Sequence, residues 1–152
     1  MPQFKFKLQK VLDYRKIKEE EKKRELSLLL IEYNKEREIL NILKNKQEEL
    51  FGDLKNLQKD ELNITQILFY YFYLQDLSNR IKKQVQILEE LDKKIQEKRE
   101  EVIQASKERR IMEKLKERKY KEFLYFMDRA EQIFLDEISN SAFVRNKKEN
   151  AS

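Results

Sequence analysis

Hydrophobic residues recur along this chain at alternating steps of three and four, the spacing of an amphipathic helix whose apolar seam faces a partner helix. From Ile67 the seam reads Ile67, Tyr70, Leu74, Leu77, Ile81, Gln84, Leu88, Leu91, Ile95, Lys98, Val102, Ala105, Arg109 and Met112, and 11 of these 14 are apolar. An earlier seam reads Leu8, Leu12, Arg15, Glu19, Lys22, Leu26, Leu29, Tyr33, Glu36, Leu40, Leu43, Gln47, Leu50, Leu54 and Leu57. Ten of those 15 are apolar, and three of the five exceptions fall together between Arg15 and Lys22. Heptads sustained this far predict an all-α chain of two long helices, over 8–58 and 64–139. A turn at 59–63 and a flexible tail at 140–152 complete the expected single coiled-coil domain.

Within "QKDELNIT", Asn63 followed three residues later by Gln66 has the form of a capping box that starts the second helix. Gly52 is not the turn, because Leu50, Leu54 and Leu57 hold the seam in phase across it. A short connection forces the helices antiparallel, with residue i opposite about 124 minus i. The polar interruption at 15–22 then meets the weak stretch containing Lys98 and Arg109. At about 1.5 Å per residue the helices should span about 75 Å and over about 100 Å, so the second overhangs the first. On that overhang Tyr120, Phe123, Leu124, Phe126, Met127, Ala130, Ile133 and Phe134 form an apolar face wider than a two-stranded seam needs. Only the opening "FKFKL" is at hand to cover it. The face is therefore either packed by the N-terminal residues or kept for another molecule.

Composition narrows the function. Of the 152 residues 41% are charged, with one glycine, one proline and no cysteine. That leaves almost nothing to build tight turns, hairpins or a sheet, and without cysteine there is no disulfide framework. No apolar run approaches the roughly 20 residues of a membrane span, and no secretory signal pattern opens the chain, so a cytoplasmic protein is expected. With no histidine and no cysteine, the usual general base, thiol nucleophile and soft metal ligands are missing. Neither catalysis, a cofactor nor a metal is expected. The net charge of +5 is unevenly spread: residues 1–25 and 107–129 each hold nine Lys/Arg and five Asp/Glu. Antiparallel pairing brings these two segments together into one basic, apolar end, suited to an acidic partner surface.

"LFYYFYL", residues 68–74, is resolved by the same frame. Tyr70 and Leu74 lie on the seam and Tyr71 and Tyr73 flank it, while Leu68, Phe69 and Phe72 point away from the partner helix. That outward patch is a candidate docking surface.

Three stretches, "FKFKLQKVLDYRK", "ITQILFYYFYLQDLSNRIKKQ" and "RRIMEKLKERKYKEF…MDRAEQIFLDEISNSAFVR", together resemble the bacterial flagellar export protein FliJ family across essentially the whole chain. The resemblance implies a stalk-like antiparallel coiled coil of the type III export apparatus that serves flagellum biogenesis and motility. Its implied partners are the hexameric export ATPase, the cytoplasmic domain of the export gate, and export chaperones. It further implies a cytoplasmic protein, monomeric in isolation, peripherally associated with the flagellar base at the inner membrane. By analogy with that stalk the basic, apolar end enters the ATPase ring, with Phe4, Leu8, Arg109, Arg110, Arg118, Lys119, Phe123 and Phe126 as the contacts expected there. The positions matching the family's gate-facing surface are Leu43, Leu50, Phe51, Tyr73 and Leu77, to which the outward Phe69 and Phe72 are added.

An injectisome stalk protein is the nearest rival reading. A nucleic-acid-binding coil is opposed by the ten acidic residues interleaved in the basic segments. Glu122, Asp128 and Glu131 oppose an anionic membrane surface. A generic dimerising coil would bury the overhang against its own copy.

Overall fold

The computed structural model of the chain describes residues 2–59 and 63–151. Two helices account for nearly all of them: α1, Gln9–Lys59, and α2, Ile64–Ala151, paired antiparallel as a coiled coil. The middle of the expected turn, residues 60–62, lies outside the described residues, as do Met1 and Ser152. Asn63 starts α2 as the sequence predicts. Its Oδ1 accepts from the backbone N–H groups of Thr65 (3.1 Å) and Gln66 (3.4 Å), and its carbonyl accepts the N–H of Ile67. Two of the otherwise orphaned donors at the helix start are satisfied in this way. Gly52 lies inside α1 without positive φ, and a Cβ placed there would touch nothing within 4 Å.

The C-terminal boundary differs from expectation. α2 does not stop near 139 but continues to Ala151. The apolar pattern fades there, but no proline or glycine follows to end the helix, and Ala142, Arg145, Lys147 and Glu149 favour helix. Lys148 in the last turn also complements the negative end of the helix dipole.

Contacts gather into two compact units: Lys18–Ala105, the central unit, and residues up to Ile17 together with those from Ser106 on, the terminal unit. Both were expected to form a single coiled-coil domain.

In the central unit the seam is the core. Leu50, Leu74 and Leu77 form a buried cluster against Leu43, Leu54 and Tyr70. Leu40, Leu88, Leu91, Ile95 and Ala105 continue the buried seam. The cross-helix pairs fall within a turn of the anticipated register: Leu50 packs with Leu74, Glu36 bonds Gln84, and Glu25 bonds Lys98. The polar exceptions of the two seams find partners. The buried Gln84 donates its side-chain amide to the Glu36 carbonyl at 2.8 Å and also to the Glu36 carboxylate. Glu19, only 4% exposed, pairs with Lys23 at 2.9 Å. Among the described residues no buried side-chain polar atom lacks a partner.

Lys98, Glu25, Glu101 and Lys22 form an alternating network of charge. Lys98 Nζ lies 2.7 Å from both Glu101 and Glu25, and Lys22 Nζ lies 3.4 Å from Glu101. The hydrogen bond from Lys98 holds the Glu25 and Glu101 carboxyls below the usual carboxylate range. The bonds to Glu101 and then Glu25 raise the Lys98 ammonium. A depressed carboxylate stabilises the fold above its unfolded value and loses that contribution as pH falls through the folded one. A raised lysine contributes fully below its ordinary value and loses it as pH rises past the folded one. The network therefore supports the coil from about pH 4.5 to about pH 10, and solvent screening keeps its effect small. Comparing thermal midpoints of the wild-type chain and Lys98→Met should show the wild type losing ground as pH falls from about 6 to about 3. A gap independent of pH would mean that the network contributes nothing.

In the terminal unit Leu12, 1% exposed, is the most deeply buried side chain. Arg15 on α1 bonds Glu108 on α2 at 2.6 Å, and Arg109 bonds Glu113 along α2 at 2.7 Å. The residues before α1 are not helical. A turn closed by the Gln9 N–H on the Phe6 carbonyl (3.1 Å) leads from them into the helix. From Asp128 to Ala151 every residue of α2 is exposed, which is the overhang expected from the unequal helix lengths.

Candidate functional site

Two surfaces, one in each unit, carry the residues singled out by the sequence. In the terminal unit the non-helical segment 2–8 lies against α2. Phe4 packs edge-on to Tyr120 with ring centroids 5.3 Å apart, and tilted to Phe123 at 5.6 Å. Such offset aromatic contacts are each worth about 0.5–1.5 kcal/mol beyond area burial. They fix the segment where no backbone ladder holds it. Phe4, Leu8, Lys119, Phe123 and Phe126 line one groove there with Leu115 and Glu122.

Five of the eight positions assigned to an ATPase are thus brought together. Arg109, Arg110 and Arg118 do not line this groove: Arg109 is engaged by Glu113, whereas Arg110 and Arg118 are exposed on α2. Packing of the wide apolar face by the N-terminal residues holds in part. Phe4 and Phe6 are half-buried by it, while Phe126 (67% exposed) and Phe134 (61%) are not covered. Tyr120, the first ring that Phe4 meets, was not among the eight. Its place at the head of the apolar face was the available signal.

Charge separates the units as well. The terminal unit holds 17 Lys/Arg and 10 Asp/Glu, and the central unit 17 and 19. The aromatic groove therefore sits in the basic unit. Lys119 beside it lies 3.5 Å from Glu122, too long and too exposed a pair to cancel the field of the surrounding cations.

In the central unit the start of α2 presents the aromatic block as the heptad frame divides it. Leu74 is buried and Tyr70 half-buried, whereas Phe69 is 77% exposed and Phe72 65%. Leu68, Tyr71 and Tyr73 are also exposed, and Tyr71 and Phe72 stack edge-on at 5.8 Å. Phe69, Tyr70 and Tyr73 border a groove between the helices, with Leu50 and Leu57 on its α1 side and Lys46 and Gln66 at its rim.

The seven positions assigned to a gate-facing surface divide in two. Phe51, Phe69, Phe72 and Tyr73 are exposed. Leu50 and Leu77 are buried in the core cluster, and Leu43 packs on it. These leucines hold the helices together, and only the edge of Leu50 reaches the groove. Leu57, Tyr70, Lys46 and Gln66 were not anticipated there. The g and d positions of both helices converge on that side in an antiparallel pair, and this convergence was the signal.

No group of acidic residues suited to hold a metal ion occurs among the described residues, and none of their helices is long and apolar enough to cross a membrane. No curated protein and no solved structure matches the chain. The family model described as "Flagellar FliJ protein" matches residues 4–148, taking in both helices, the aromatic segment before α1 and most of the overhang. The chain belongs to the FliJ family of the flagellar export apparatus.

Proposed function

We propose that this chain, a non-catalytic component of flagellar export, acts as a stalk that binds the hexameric export ATPase through its terminal unit. The observation that carries this reading is the aromatic groove of Phe4, Phe123 and Phe126 set in the basic unit. An apolar anchor supplies affinity, while the surrounding cations steer an acidic surface towards it. The exposed aromatics Phe51, Phe69, Phe72 and Tyr73 of the central unit then meet the cytoplasmic domain of the export gate. Binding two partners with affinities that depend on their state couples ring to gate without chemistry in the stalk. Export chaperones are further partners of the same chain, and association with the flagellar base at the inner membrane follows from these protein contacts.

The test is an ATPase assay with the export ATPase of the same organism. Adding the purified chain should promote hexamer formation and raise turnover, and Phe4→Ala with Phe126→Ala should lower the apparent affinity at least tenfold. Neither binding nor any change in turnover would sink the reading.

A further inference from the structure

The overhang of α2 beyond the segment covered by Phe4 has an apolar ridge and no partner among the described residues. Phe134, Ile138, Ser141 and Arg145 follow one another at steps of four, three and four, and line one shallow groove with Glu137 and Ala142. Phe134 is 61% exposed and Ile138 50%. The ridge changes character along its length. Its first half carries the bulky Phe134 and Ile138, and its second the small Ser141 and Ala142. Charge changes with it: residues 128–137 hold Asp128, Glu131, Asp136 and Glu137 against Arg129 alone, while 145–148 hold Arg145, Lys147 and Lys148 and no acid.

We propose that this ridge pairs with the same ridge of a second copy of the chain, antiparallel. In that arrangement Ile138 of one copy lies over the notch at Ser141 of the other. The long Arg145 stem lies over Phe134, a contact that a guanidinium makes well with an aromatic face. Glu131 faces Lys148 at each end. Seam positions one step before Phe134 and one step after Arg145 are Glu131 and Lys148, so the apolar layers and the charge pairs share one register. Parallel pairing would instead stack the acidic stretch on the acidic stretch and the basic on the basic, which opposes association. The large-over-small match and the sign reversal thus select the same partner and the same direction. A seam of under three heptads is short for a coiled coil, so the association is weak and reversible.

Sedimentation velocity on the full chain tests this without the ATPase; a weak dimer departs from the monomer in isolation that the family resemblance implies, and its absence leaves the ATPase assay to test the stalk reading by itself. The wild-type chain should pass reversibly from monomer to dimer between about 5 and 200 µM. Phe134→Ser with Ile138→Ser removes exposed side chains only, should leave helicity unchanged, and should weaken dimerisation at least tenfold. Glu131→Lys and Lys148→Glu should each weaken it severalfold, and the two combined should restore it, because the pair is exchanged rather than lost. A monomer at every concentration overturns the proposal and leaves the ridge to a different protein. A dimer indifferent to Phe134 and Ile138, or one not rescued by the combined charge exchange, overturns it equally.

Discussion

Leu77→Ala should destabilise the folded chain by about 2–5 kcal/mol, the cost of emptying a leucine site in a packed core. Leu77 is 4% exposed and lies in the cluster with Leu50 and Leu74. A two-stranded coil has little other core to redistribute the loss, and total stabilities are only about 5–15 kcal/mol. Phe69→Ala with Phe72→Ala should behave in the opposite way. Both rings are largely exposed, so removing them should change stability by about 0.5 kcal/mol or less each, and alanine is the better helix former. Thermal melting followed by circular dichroism distinguishes the two, with a large drop for Leu77→Ala and almost none for the double variant. If the double variant still folds but no longer binds the gate domain, the aromatic patch is a contact surface. A melting temperature that falls as far as that of Leu77→Ala would show that the rings belong to the core.

Reversing charge at Arg110 and Arg118 should weaken association with the export ATPase by tenfold or more at low salt. Both side chains are exposed on α2 within the basic terminal unit and outside the aromatic groove. Arg110→Glu with Arg118→Glu changes the net charge by four units and leaves the Phe4–Tyr120–Phe123 packing untouched. The loss should appear mainly in the association rate, and it should shrink as ionic strength rises and the Debye length falls to about 8 Å at 0.15 M. Phe126→Ala, by contrast, should act mainly through the dissociation rate and resist salt. Stopped-flow binding at two ionic strengths separates these. Equal salt dependence for the charge-reversed and wild-type chains would rule out steering.

The seam was legible because its spacing is a property of the chain alone. Of the seam positions read from the sequence, Leu8 alone is exposed in the structure, and the rest are buried or half-buried. Asn63 was legible for a similar reason, since a cap acts over three residues. The end of α2 was not. An apolar pattern reports where a helix has a partner, whereas a helix without a breaker can continue past the last partner, as 140–151 does. Glu19 shows the same limit at the side-chain level: the interruption at 15–22 read as a loose stretch, yet Glu19 is buried and paired with Lys23. Family likeness offered Leu43, Leu50 and Leu77 as gate contacts, whereas the heptad frame puts all three on the seam, and the structure packs them there. That the opening residues could cover the face headed by Tyr120 was legible, but the pairing of Phe4 with that particular ring was not, because segment 2–8 is not helical and no periodicity governs where it lies.

The pairing of Gln84 with Glu36 has a mechanical consequence. A seam made only of leucines and isoleucines looks nearly the same after one helix slides by seven residues along the other. The Gln84 amide does not. After such a slide it would face Leu29 or Leu43 and lose the Glu36 carboxylate, and a buried amide left short of an acceptor costs up to about 1–3 kcal/mol. Glu25 and Lys98, 2.7 Å apart on the two helices, add a second tooth to the same ratchet within the central unit. Sliding of α1 on α2 is thereby disfavoured there. A force applied to this unit is carried by bending or by movement of both helices together, as in a spliced beam whose two halves are pinned.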